Sequence, residues 1–130
     1  QTILPLLKTD LLDLILACCN GNLKENNIEW YKKRSLCIVL CSKGYPESYK
    51  KNIDIPNPKH LTLNKNNFIY HAGTKILDDT IHAVGGRVLN FVSISDSYLD
   101  CRNEAINLIE KLNWKHGFYR SDIGFKVIEK

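Results

Sequence analysis

A chain of 130 residues has the size of one modest domain and can bury about two thirds of its unfolded surface. Apolar residues make up 44% and charged residues 25%, a balance that excludes disorder, a collagen repeat and a coiled-coil rod. The longest apolar run, Leu11 to Cys19, is interrupted by Asp13 and falls far short of the roughly 20 residues of a membrane span. The N-terminus lacks the basic start and apolar stretch of a signal peptide. The net charge of +4, from 18 Lys and Arg against 14 Asp and Glu, is mild. The basic residues are scattered rather than gathered on one face, which speaks against a nucleic-acid binder.

In chain order, Leu4 to Leu23 is expected to be helical. Leu4, Leu7, Leu11, Leu14 and Ile15 recur at three-and-four spacing, Pro5 suits a first turn, Thr9-Asp10 can cap a start and Asn20-Gly21 a stop. Residues 24–34 read as a connection, and the basic triplet Lys32, Lys33, Arg34 within it as solvated. Leu36 to Leu40 then suits a buried strand, broken by Ser42-Lys-Gly-Tyr-Pro46. Pro56 and Pro58 bracket a turn. His60 to Leu63 and Phe68 to Thr74 read as strands, with a hairpin turn at Leu77-Asp78-Asp79.

Gly85-Gly86 leads into a strand, Val88 to Ile94, whose alternation puts Val88, Asn90, Val92 and Ile94 on one face and Leu89, Phe91 and Ser93 on the other. Ser97 and Asp100 resemble a capping box. They open a helix with the stripe Cys101, Ala105, Leu108 and Leu112, ending near Asn113. After His116-Gly117, Phe118 to Ile128 is expected to supply one or two closing strands. The sum is an α+β layout: an N-terminal helix, then a small barrel-like β domain with one helix.

The five cysteines, Cys18, Cys19, Cys37, Cys41 and Cys101, are an odd number and contain no C-x-x-C pair. They read as reduced, buried thiols of a cytoplasmic protein.

The clearest chemical logic lies in His71-Ala-Gly-Thr-Lys75 followed by Gly85-Gly-Arg-Val88. Gly85 and Gly86 allow backbone N–H groups to approach an anion. Arg87 offers a planar fork for phosphate or carboxylate, and Lys75 adds a point charge if the hairpin aligns the strands. The same residues are also compatible with an ordinary turn and a solvated Arg. His71 has no Ser or Cys nucleophile identifiably paired with it and reads as a packed or capping residue. Arg120 and Asp122 read as a structural ion pair. Lys43-Gly44-Tyr45-Pro46 needs Gly for a tight turn and could shape a substrate mouth. No complete metal or nucleotide motif is present, and no catalytic residue is assigned.

Five ordered motifs carry a resemblance. They are Leu4-Pro-Leu-Leu-Lys-Thr-Asp-Leu-Leu12, Ser42-Lys-Gly-Tyr-Pro46, His71-Ala-Gly-Thr-Lys75, Gly85-Gly-Arg-Val-Leu89 and Phe118-Tyr-Arg-Ser-Asp-Ile-Gly124. Over nearly its whole length the chain resembles the C-terminal part of the phosphoribosylamine–glycine ligase family. Glu47 and Asn52 stand where that family often has Gly. The resemblance implies an ATP-grasp enzyme of purine synthesis. There, ATP phosphorylates the glycine carboxylate and the amine of 5-phosphoribosylamine attacks the acyl phosphate.

It further implies that residues 1–34 are the last helix of the ATP-grasp domain plus a linker, and that residues 35–130 are the C-terminal domain. The lobes enclosing ATP, and the Glu and Asn that hold Mg²⁺ (or Mn²⁺), would lie upstream of Gln1. Gln1 itself, with no Met, reads as the start of a cut piece that does not turn over alone. By the same resemblance Lys75, Gly85, Gly86 and Arg87 hold the substrate's 5-phosphate. Glycine, 5-phosphoribosylamine, ATP and the enzyme's own N-terminal lobes are the expected partners of a monomeric cytoplasmic enzyme, with no nucleic acid and no membrane. Two alternatives stand beside this reading: a stand-alone basic β-barrel that binds nucleic acid, and a lid that closes the cleft without touching ligand.

Overall fold

The computed structural model describes residues 1–25 and 27–128. Asn26 of the expected connection and residues 129–130 of the expected second unit lie outside the described residues. The mixed helix-and-sheet layout is observed, with the strands divided between two antiparallel sheets. Strands β1 (Arg34–Ser42), β3 (Asn67–His71), β6 (Arg87–Ser95) and β7 (Gly117–Phe118) form the first, in the order β3-β6-β1-β7. Strands β2 (Ile53–Ile55), β4 (Thr74–Leu77) and β5 (Thr80–Ala83) form the second, in the order β2-β5-β4.

The pleat of β1 buries Leu36, Ile38 and Leu40 on one face. Cross-strand register sets these against Ser93, Phe91 and Leu89 of β6. Helix α2 (Tyr98–Leu112) covers that face with Cys101, Ala105, Leu108 and Leu112, the stripe its 3.6-residue period requires. Phe91 is wholly buried at the centre, a burial that contributes about 1.5–3 kcal/mol. Ser97 caps α2 by accepting the Asp100 N–H at 3.0 Å, and Asn113, left-handed at φ 52°, ends it. Ile55 and Ala83 bring the second sheet into the same core. The Trp114 Nε1–H secures it by donating to the Asp54 carbonyl at 2.7 Å.

Several expectations give way. The single helix over 4–23 is a 3-10 turn at Leu4–Leu6 and a separate helix α1 at Leu11–Cys19. The gap arises because residues 6–9 pair with 29–31 instead. Lys8 N–H donates to Glu29 O at 2.9 Å, Tyr31 N–H to Leu6 O at 2.8 Å and Glu29 N–H to Thr9 Oγ1 at 2.7 Å. Asp10 then caps α1 through the Leu12 N–H. His60 to Leu63 is no strand, since Pro58–His60 forms a 3-10 turn capped by the Asn57 side chain.

The strand expected over Phe68 to Thr74 breaks at Ala72-Gly73, where the chain passes from the first sheet to the second. Beyond Phe118 the chain forms a turn and a short helix α3 (Phe125–Ile128) rather than strands. There Gly124 is left-handed at φ 84°, with Leu36 Cδ1 2.7 Å from where a Cβ would stand. Cys18 and Cys19 are exposed, not buried, although all five thiols are free. Leu11, Leu12, Ile15 and Leu16 of α1 are exposed too. No described helix is long and apolar enough to cross a membrane.

Candidate functional site

The face of the first sheet opposite α2 carries a cleft of about 630 Å³, lined by Gln1, Val39, Tyr45, Gly86, Arg87 and Asn90, with Ala72 and Gly73 at its edge. Strict alternation would place Arg87 with Leu89 and Phe91, on the helix side. A register shift prevents this: Leu40 pairs with Leu89 but Cys41 pairs with Arg87, so Val88 is the extra residue of a bulge. Val88 is wholly buried in the core, and Arg87 lines the cleft with Val39 and Asn90. Bulges commonly re-aim a side chain in this way.

Burial pushes the Cys41 thiol up, and the charge of nearby Arg87 partly opposes the shift. Arg87 takes part in none of the ion pairs among the described residues. An unpaired guanidinium in a cleft is suited to an anion held in two-pronged fashion.

The glycines have a packing reason. A Cβ on Gly73 would sit 2.6 Å from Arg87 O and 2.7 Å from Gly85 Cα, and one on Gly86 would sit 2.0 Å from Tyr45 Cδ2. Gly73 N–H donates to Arg87 O at 2.9 Å, and Gly85 N–H donates to Gly73 O at 3.2 Å. The Gly85 donor is thus engaged within the fold. The paired glycines let two backbones and an aromatic ring meet beside Arg87.

Lys75 lies elsewhere. It is on β4 opposite His82 of β5, in the second sheet, and faces a different cleft of about 490 Å³ with Lys59, His71 and Asp79. The structure therefore puts Gly86 and Arg87 in one cleft, but Gly85 is not part of its lining and Lys75 lies in another. Next to Lys75, His82 Nδ1 stands 3.0 Å from Asp54 Oδ1, within ion-pair range, without the alignment of a hydrogen bond. His71 caps a turn, its Nδ1 2.9 Å from Thr74 Oγ1. The Arg120–Asp122 pair is present at 2.6 Å and exposed. Its guanidinium holds the Asp122 carboxyl below the usual carboxylate range.

Asn52 adopts φ 56°, a left-handed conformation Gly takes more readily. Tyr45, from the Lys43-Gly44-Tyr45-Pro46 segment expected to shape a substrate mouth, lines the cleft, whereas Val39 and Asn90 are cleft residues that the sequence reading missed.

The family model of the phosphoribosylglycinamide synthetase C domain matches residues 35–126. The chain belongs to that family. The chain is similar to the phosphoribosylamine–glycine ligase of Caldanaerobacter subterraneus subsp. tengcongensis, 44% identical over 123 residues, a match covering 95% of this chain and 29% of the relative. It is 40% identical over 132 residues to the bifunctional purine biosynthetic protein purD of Dictyostelium discoideum, covering 98% of this chain and 16% of that one.

Among solved structures it resembles the phosphoribosylamine–glycine ligase of Thermotoga maritima, with a TM-score of 0.73 and 26% identity over 93% of this chain and 29% of that chain. The chain thus spans less than a third of the length of these relatives and corresponds to their C-terminal portion.

Proposed function

We propose that this chain is the C-terminal part of an ATP-dependent ligase joining glycine to 5-phosphoribosylamine in cytoplasmic purine biosynthesis, and that Arg87 anchors the substrate's 5-phosphate. The observation that carries the proposal is the shared cleft of Arg87 and Gln1. The cation faces the point at which the relatives' upstream sequence would attach. The exposed apolar residues of α1, Leu11, Leu12, Ile15 and Leu16, fit the same reading, as the last helix of an ATP-grasp domain that the preceding lobes would cover.

In this role the C domain closes the cleft and fixes the phosphoribosyl group so that its amine meets the activated glycine. The contribution is positioning. Gly85 and Gly86 hold the backbone beside Arg87, and Tyr45 walls the cleft. Lys75, on the adjoining sheet, is a second cation outside the immediate pocket. Among the described residues no group of three or more His, Cys, Asp or Glu is placed to hold a metal ion. The ligands of Mg²⁺, and with them the ATP phosphates, belong in this reading to residues outside the chain.

The test is Arg87→Ala in the complete ligase. Loss of a charge-assisted hydrogen bond costs about 1.5–3 kcal/mol, roughly a ten- to hundredfold rise in KM for 5-phosphoribosylamine. The KM values for glycine and ATP should change little, and Arg87→Lys should recover part of the loss. An equal effect on all three substrates would mean a non-contacting lid and would overturn the assignment.

A further inference from the structure

The loop that walls the Arg87 cleft has a second side. Residues 43–50 leave β1 and turn at Gly44, φ 101°, so tightly that a Cβ there would stand 2.2 Å from Ser48 O. Tyr45 falls on the Arg87 side. On the other side Lys43, Lys50 and His116 line a cleft of about 530 Å³ together with the apolar Tyr49, Ile53 and Trp114. The walls are tied together: Lys43 N–H donates to His116 O at 2.8 Å, and the Trp114 indole donates to Asp54 O at 2.7 Å.

No Asp or Glu lines this cleft. Lys43, Lys50 and His116 enter none of the ion pairs among the described residues. Two lysines and an imidazole lining one cleft without a carboxylate suit an anion, and the apolar side chains of Tyr49, Ile53 and Trp114 beside them suit a ring. The volume lies within the usual range for small-molecule sites, about 300–1,000 Å³.

We propose that this cleft binds a small phosphorylated ligand carrying a flat ring, of the nucleoside monophosphate class. The phosphate lies among Lys43, Lys50 and His116, and the ring lies against Tyr49, Ile53 and Trp114. The site is separate from the Arg87 cleft and does not rest on the ligase reading.

The experiment is an amide and indole NMR titration of the isotope-labelled chain with adenosine monophosphate, with adenosine and ribose 5-phosphate as separate arms. Saturable shifts are expected at the Trp114 indole and at the amides of Lys43 and Lys50, with the Trp30 indole unmoved. Each half-ligand should bind at least about tenfold more weakly than the whole. K43Q/K50Q, which replaces two exposed side chains, should weaken binding by about tenfold or more. R87A and the control K111Q should leave it unchanged. Three results overturn the proposal: no saturable shift at the Trp114 indole at millimolar nucleotide; a loss of that shift in R87A but not in K43Q/K50Q; or ribose 5-phosphate shifting the Trp114 indole and the Lys43 and Lys50 amides at concentrations as low as the nucleotide does.

Discussion

Replacing Gly86 by Ala puts a methyl carbon 2.0 Å from Tyr45 Cδ2, 2.5 Å from Cε2 and 2.9 Å from Cγ. Carbon atoms rest at about 3.5–4.0 Å, so the ring or the strand must yield by about 1.5 Å. Neither is free to do so. The Tyr45 ring meets Tyr49 edge-on, with centroids 6.0 Å apart, and Tyr45 N–H donates to Ser42 O at 3.0 Å. On the other side Gly86 O accepts the Ser42 N–H at 2.8 Å, and Gly85 O accepts the Ser42 hydroxyl at 2.9 Å.

Overpacking of this kind costs about 1–3 kcal/mol, offset by about 0.4–1 kcal/mol from the stiffer unfolded chain. A net loss near the upper end, about 2 kcal/mol, lowers Tm by about 8 °C for a chain of this length. Circular dichroism melts and urea titrations of the chain would measure it. In a Tyr45→Ala background the same glycine substitution should cost less than about 0.5 kcal/mol, because the obstructing ring is gone. A Gly86→Ala protein as stable as its parent, or a penalty undiminished without the ring, would refute the packing account.

Gly73→Ala meets only backbone, with Arg87 O at 2.6 Å and Gly85 N at 2.9 Å. It should therefore cost more, about 3 kcal/mol in urea titrations, and no side-chain truncation should rescue it. Ser93→Ala removes a 2.7 Å donor to Asn67 Oδ1 in a buried setting. A loss of about 1–3 kcal/mol is expected by the same measurement. Asp122 has its folded pKa depressed by Arg120. The pair therefore stabilises above the unfolded carboxylate value of about 4 and ceases to as pH falls through the folded value. Both partners are exposed, so Asp122→Asn should lower Tm only slightly at neutral pH and match the parent in strong acid. High salt should shrink the difference, and a gap that widens toward low pH would contradict this.

The elements that sequence reading placed well are those with local causes. Helix α2 is specified by its own cap, stripe and left-handed Asn113. The β4–β5 turn is specified by Asp78 and Asp79, both at positive φ, as a two-residue hairpin requires. Of the elements it misplaced, the expected strand at His60 to Leu63 gave way to a local turn capped by Asn57, but others depend on distant partners. Residues 6–9 gave up helix for pairing with 29–31, and the stretch beyond Phe118 lacked enough paired neighbours to remain a strand.

Composition, periodicity and turn chemistry are properties of the chain. They established the mixed helix-and-sheet class, the late helix, the strands around Leu36–Leu40 and Val88–Ile94 and the candidate Gly85-Gly86-Arg87 segment. Which cations share a cleft is a property of register and sheet membership. The bulge at Val88 turns Arg87 away from the helix side, and the break at Ala72-Gly73 carries Lys75 into another sheet. Both follow from hydrogen bonds between segments far apart in sequence, whose pairing no local pattern encodes.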